Sequence, residues 1–396
     1  MKRRTQFILL AMAAAAAWLS LEVAKIPRPC EEDMDYDQGL TIEEWDFVTE
    51  DGAVLRGKRY VNEGAQPAIL AHGFLGNGYE FDLPRRDHNM AVHLAHKGYD
   101  VWVSSFRGCG REPNLCEAAG WNHSMDHLAA YDVTALIEGV TLRTGCRPVW
   151  LGHSMGGIVL YMYLQGATFK EISGKRVFSA DPDLARERNK NIAAGIAIGS
   201  PPAFYWDRGG FFGMLSHSRM MRTALKALHN LAGGLHARSP HLHMGTPMAK
   251  MAWAFPRLAA VFVNHTPTGW VLYNWDNVEP EVAISLLRWG GDDVSSRMAQ
   301  QGLYAIIHTD LRSYDRSHSY TENMHRITAP FFFVTGSEDA ANPDTIKKYG
   351  YERVSSREKK FANFPYFGHT DLVMGKDVQY KVYPVITDWL KEVVAD

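Results

Sequence analysis

The chain is poor in cysteine and carries no excess of either charge. Four cysteines stand among 396 residues and none forms a C-x-x-C pair. A disulfide-stapled small fold is therefore excluded, and neither a structural metal nor a cofactor is expected. Lys and Arg number 42 against 44 Asp and Glu, a formal net charge of −2. No field of one sign draws in nucleic acid or an acidic membrane surface, so the expected partner is a small, weakly charged molecule. Beyond one alanine run there is no internal repeat or low-complexity segment, which leaves no basis for a solenoid or array. What remains is an ordinary globular composition, 46% hydrophobic and 22% charged. It suffices for one large core with an insertion, or for two ordinary domains.

Met1-Lys2-Arg3-Arg4 followed by an uncharged run over residues 5–21 has the basic and apolar parts of an export signal. Small residues at Ala13-Ala14-Ala15 and Ala15-Ala16-Ala17 offer cleavage sites, but Leu19 and Leu21 extend the apolar stretch past both. Retention as an anchor over residues 5–24 is slightly favoured over cleavage, and a buried N-terminal helix is the alternative. Either export outcome puts the body outside the cytoplasm and permits disulfides. Cys109 and Cys116 share one loop that they are placed to close, leaving Cys30 with Cys146; three connectivities are open.

Residues 26–41 read as an acidic tether with little to bury after a signal or anchor over 1–25. Residues 45–49 and 54–60, joined through Asp51-Gly52, predict a hairpin. Strands then alternate with helices: strands at 68–70, 100–104, 149–151 and 192–198, helices at 89–97, 127–144 and 158–165. Such alternation predicts an α/β fold with a doubly wound, mostly parallel sheet covered on both faces. The pattern lapses over 205–325, rich in Trp, Met and Phe, which reads as an inserted helical cap with 248–263 as an interfacial lid. It resumes over 326–396 with strands at 331–334 and 360–364 and a helix at 378–393, so the core comprises 42–204 and 326–396.

Gly152-His153-Ser154-Met155-Gly156 lies at the junction of an expected strand and helix. A serine on such a hinge is held in a strained backbone conformation, and Gly152, Gly156 and Gly157 leave room for the close approach. A bare G-x-S-x-G is also compatible with a plain tight turn, so the other parts decide. A serine hydroxyl needs a base, and the base an orienting carboxylate. Asp339 follows the strand at 331–334 and His369 follows the last strand, in the order serine, acid, histidine. Asp207 and Glu338 are rival acids, and Asp371 reads as a brace for the histidine loop. Two backbone amides must hold the oxyanion. Met155, directly after the serine, and Phe74, after the turn-forming Gly73, are the candidates. His72 is expected to steady that loop and His153 to pack beside the serine.

Assembled, these residues resemble the acid lipase family of α/β-hydrolases, of the gastric and lysosomal type. The resemblance rests on Val48-Thr49-Glu50-Asp51-Gly52, His72-Gly73-Phe74-Leu75 and the run Gly98-Tyr99-Asp100-Val101-Trp102-Val103 followed by Ser105-Phe106-Arg107-Gly108. Tyr131-Asp132, Gly336 with Asp339, and Gly368-His369-Thr370-Asp371 continue it. It covers roughly 42–166 and 328–376 and not the cap. The elbow departs from the family, with Met155-Gly156-Gly157 where glutamine, glycine and threonine are usual. The resemblance implies carboxylic ester hydrolysis, with Ser154, Asp339 and His369 as triad and Phe74 and Met155 as oxyanion donors. An apolar acyl ester is the expected substrate, and membrane association is expected only through the N-terminal segment. An acyltransferase with the same triad and a silent binding protein on the same scaffold are the alternatives; dehalogenase and epoxide hydrolase chemistry would need an acid in place of Ser154.

Overall fold

The computed structural model describes residues 2–26, 35–204, 219–236 and 239–394. Its strands are β1 (Ile42–Val48), β2 (Val54–Tyr60), β3 (Pro67–Ala71), β4 (Asp100–Ser104), β5 (Val149–His153), β6 (Ala167–Ile172), β7 (Lys175–Ala180), β8 (Ala194–Ile198), β9 (His241–Leu242), β10 (Val294–Ser295), β11 (Phe331–Gly336) and β12 (Lys359–Phe364). Eight form one sheet in the order β1-β2-β4-β3-β5-β8-β11-β12. β1 and β4 pair antiparallel with β2, and all other neighbours are parallel.

The central strands β3, β4, β5, β8 and β11 are buried at every position. That is why they read as unbroken apolar runs, since helices cover both faces of the sheet. Alternation along β11 divides the core: Phe332 and Val334 meet the helix Tyr383–Val394 side, Phe331 and Phe333 the side of the helices Val133–Thr144 and Met155–Leu164. The parallel strands end together, so Ala71, His153, Ile198, Gly336 and Phe364 share one rim. In open α/β sheets ligand sites lie outside that carboxyl edge.

Between β8 and β11 the described residues are largely helical, including Arg219–His236, Gly245–Ala254, Pro256–Asn264, Pro280–Ser285 and Ser296–His308. The segment 248–263, expected as a lid, comprises parts of two helices that meet at Phe255, whose φ of −138° and ψ of 65° lie outside the helical region. The proline that follows disfavours helical geometry at the preceding residue and opens the second helix instead.

Two expectations are corrected, and one hairpin lay outside them. Residue Tyr36, assigned to a tether with little to bury, is itself buried, and its hydroxyl accepts from Lys58 Nζ at 2.6 Å. The antiparallel hairpin of β6 and β7 was not anticipated, although the Ser173-Gly174 turn, both residues at positive φ, marks it. Cys109 and Cys116 are free and buried. Their backbones pair, with Cys116 N donating to Cys109 O at 2.9 Å, but the thiols diverge: Cys109 Sγ toward Asp293 O, Cys116 Sγ toward Ser105 O at 3.2 Å. Pairing of Cys30 with Cys146 lies outside the described residues. The N-terminal helix Lys2–Lys25 sets Trp18 edge-on to His265, ring centroids 4.8 Å apart. Among the described residues no helix is long and apolar enough to cross a membrane.

Candidate active site

Ser154 sits between β5 and the helix Met155–Leu164 with φ 49° and ψ −112°. A non-glycine residue held there costs about 1–3 kcal/mol, so its surroundings must enforce it. They do so by contact. A side chain at Gly152 would fall on the backbone of Gly156, one at Gly156 on the carbonyl of Ala71, and one at Gly157 on Ser200. Ser154 N donates to Ile198 O at 2.8 Å, tying the hinge to β8.

His369 bridges the serine and an acid. Its Nε2 is 2.9 Å from Ser154 Oγ, and its Nδ1 is 2.9 and 3.1 Å from the two oxygens of Asp339. The carboxylate accepts only, so the ring proton resides on Nδ1 and Nε2 accepts from the hydroxyl. Burial alone would lower the His369 pKa, but the charge and hydrogen bond of Asp339 outweigh it and the pKa is raised. Asp339 is fully buried and also accepts from Ala341 N at 2.7 Å. Gly199, at φ +56°, passes beneath the pair; a Cβ there would stand 3.0 Å from Asp339 Oδ2 and 3.1 Å from His369 Nδ1.

Glu338 is exposed, with Ser337 Oγ at 3.0 Å, and Asp207 lies outside the described residues. Asp371 braces the histidine loop, accepting from Gly368 N at 2.7 Å, Asn274 N at 3.2 Å and Asn277 Nδ2 at 3.2 Å. Burial raises its pKa to about 6.

Met155 opens its helix, so its N–H has no partner within the helix. In the loop after β3, Gly73 N is taken by Glu80 Oε2 at 2.6 Å and Gly76 N by Gly73 O at 3.3 Å. The amide of Phe74 lies between them. His72 locks this loop as expected, donating from Nδ1 to Gly73 O at 2.8 Å while Nε2 accepts from Phe106 N at 3.0 Å.

Glu80 is the residue that sequence reasoning missed. It is buried, holds Gly73, and forms an ion-pair contact with Nδ1 of His153. Burial would raise its pKa, but the His153 charge and these hydrogen bonds lower it. The other nitrogen of His153 is 3.2 Å from His369 O, so this second pair grips the backbone of the first. Nothing local in the sequence signals Glu80, because its partners lie seven and seventy-three residues away, one in the loop after β3 and one at the end of β5.

The segments behind the sequence resemblance converge on one buried ion network. Arg107 reaches Asp51 with Nη1 at 2.6 Å and Nη2 at 2.8 Å, and Asp132 with Nε at 2.7 Å. The two-sided pairing raises the Arg107 pKa despite burial and fixes the loop after β4. The one cluster of potential metal ligands among the described residues, His241, His243 and Asp293, lies outside this constellation.

Comparison with known proteins identifies the family. Residues 68–334 match the model of the alpha/beta hydrolase family. Mouse lipase member M is 23% identical over 387 residues, 90% of this chain and 84% of that protein. Triacylglycerol lipase 2 of Arabidopsis thaliana is 33% identical over 137 residues, and human gastric triacylglycerol lipase 30% over 162. These two matches span 32% and 37% of those enzymes. Among solved structures, DcsB in complex with its substrate analogue superposes with a TM-score of 0.56 at 14% identity, covering 90% of this chain and 100% of that one. A thermophilic esterase from Thermogutta terrifontis gives 0.50 at 17%, covering 89% and 99%. The chain belongs to the alpha/beta hydrolase family and is related to the acid lipases.

Proposed function

We propose that the protein hydrolyses carboxylic esters with apolar acyl groups through an acyl-enzyme on Ser154. The reading is carried by His369, which stands within hydrogen-bond reach of both Ser154 Oγ and the Asp339 carboxylate. In the first step Nε2 takes the hydroxyl proton as Oγ bonds to the ester carbonyl carbon, and the amides of Phe74 and Met155 receive the oxyanion. The imidazolium, held by Asp339, then gives that proton to the departing alcohol. Water repeats the sequence on the acyl-enzyme, releasing the acid and regenerating Ser154.

The apolar preference is supported by Trp253, Phe255 and Phe262, which leave large apolar surface exposed on the broken helix pair. Trp289 links that pair to the oxyanion side: its ring meets Trp253 and Tyr79, and its carbonyl accepts from Asn77 Nδ2 at 2.9 Å. Lipase relatives point the same way. The basic triplet and apolar run at the N-terminus support export, which fractionation of the expressing cell tests.

The decisive experiment is a chain-length series of aryl esters on the full chain, with Ser154→Ala as control and fluorophosphonate labelling mapped by peptide. Turnover and label are expected together, on Ser154, and both should vanish in the variant. A folded wild-type protein with neither would overturn the reading. An added alcohol acceptor that diverts most of the acyl product would replace hydrolysis by acyl transfer.

A further inference from the structure

We propose that His241, His243 and Asp293 bind one divalent transition-metal ion of the zinc class, which clamps the segment between β8 and β11 onto the loop that carries Phe74. His241 and His243 are two residues apart along an extended chain, so their side chains leave on one side. β9 and β10 pair antiparallel with His241 opposite Ser295 and Leu242 opposite Val294; continued by one residue, that register sets Asp293 opposite His243. His241 Nε2 lies 3.2 Å and His243 Nδ1 3.0 Å from the same oxygen, Asp293 Oδ2, and the three ligand atoms lie within 4.8 Å of one another. Ligand atoms around a tetrahedral zinc ion stand about 3.3 Å apart.

Two imidazoles and one carboxylate suit zinc-class ions, whereas calcium and magnesium take oxygen sets. The outer contacts that orient metal ligands are in place. Thr246 donates to Asp293 through its N at 3.0 Å and its Oγ1 at 2.8 Å, and Trp121 stacks on the His241 ring at 3.5 Å between centroids. Asp293 is nearly buried while the His243 side chain is 64% exposed, so an ion has an entry path and water has access to a fourth position. The sequence hides the site because its third ligand arrives 50 residues after the second.

The clamp reaches the loop after β3 through one residue. Asp292 N donates to Leu75 O at 2.8 Å, and its Oδ2 accepts from Asn77 Nδ2 at 3.1 Å and Gly110 N at 2.8 Å. Leu75, next to Phe74, is held at φ 63°. Fixing Asp293 thus fixes the neighbour that holds Leu75; the link to catalysis rests on the function proposed for Phe74, whereas metal binding does not.

The test uses the full chain without a polyhistidine tag, stripped with a chelator, then titrated with Zn²⁺ by calorimetry and with Co²⁺ by absorption. One ion per chain and the strong visible bands of four-coordinate Co²⁺ are expected. His243→Ala, at an exposed position, should weaken binding at least about 100-fold, and Asp293→Asn, which keeps the side chain's shape, should do the same. Thr246→Val should weaken it by about 10- to 100-fold. Equal affinity in wild type and both ligand variants, or no stoichiometric binding by folded wild type, would overturn the site. Because the readout is metal and not ester turnover, it stands apart from any failure at Ser154.

Discussion

Two carboxylate–histidine pairs lie side by side under the rim of the sheet, with the rings of His369 and His153 4.7 Å apart and tilted by 49°. Both histidines are buried and each meets a buried carboxylate, Asp339 or Glu80. The difference lies in the second nitrogen. His369 presents Nε2 to a hydroxyl, whereas His153 presents Nε2 to the carbonyl of His369. A ring whose two nitrogens are both engaged by other groups leaves none facing a serine. Residue type and burial therefore do not make a base; the partner of the remaining nitrogen does.

The sharpest way to break the first pair is Ser154→Ala or His369→Ala, each expected to lower kcat by about 10⁶-fold in steady-state ester assays. Asp339→Asn should cost about 10⁴-fold, because the tautomer is no longer fixed. It should also move the pH profile. The base acts deprotonated and its pKa is raised, so kcat/KM of the wild type should climb with pH through a value above the ordinary histidine 6.5. Without the Asp339 charge, burial dominates and that acid limb should shift downward. Glu80→Gln attacks only the bracing pair, and a loss on the order of 10²-fold is expected from a displaced loop. Its limb should shift down less than that of Asp339→Asn, since Glu80 acts on His369 only through its charge and more weakly than Asp339. If Glu80→Gln proved as damaging as Asp339→Asn, the distinction between base and brace would fall. Smallest is Gly199→Ala, where the left-handed backbone alone should cost about 1–2 kcal/mol in denaturant unfolding.

Much of this was legible because its determinants are local. The run from Phe331 to Gly336 is apolar over one strand length, and the acidic turn that follows puts Asp339 within reach of His369. Ser154 announces itself through glycines whose missing side chains are required within five positions. Glu80 and Tyr36 were not legible, since what makes them matter comes from distant parts of the chain: His153 and Gly73 for the former, Lys58 and Asp82 for the latter. The hydrophobic content of 248–263 suggests a lid, and Pro256 marks where its two helices meet. The cysteine loop misled for a different reason: closeness along the chain brings backbones together, as at Cys109 and Cys116, without aiming their side chains at each other.

Those two sulfurs have one further consequence. Burial drives the Cys109 thiol far above its ordinary value and pushes Cys116 up to about 12, so both stay protonated and poorly nucleophilic. Peroxide and glutathione should leave them untouched. Surface-exposed Cys146 is then the one described cysteine open to maleimide.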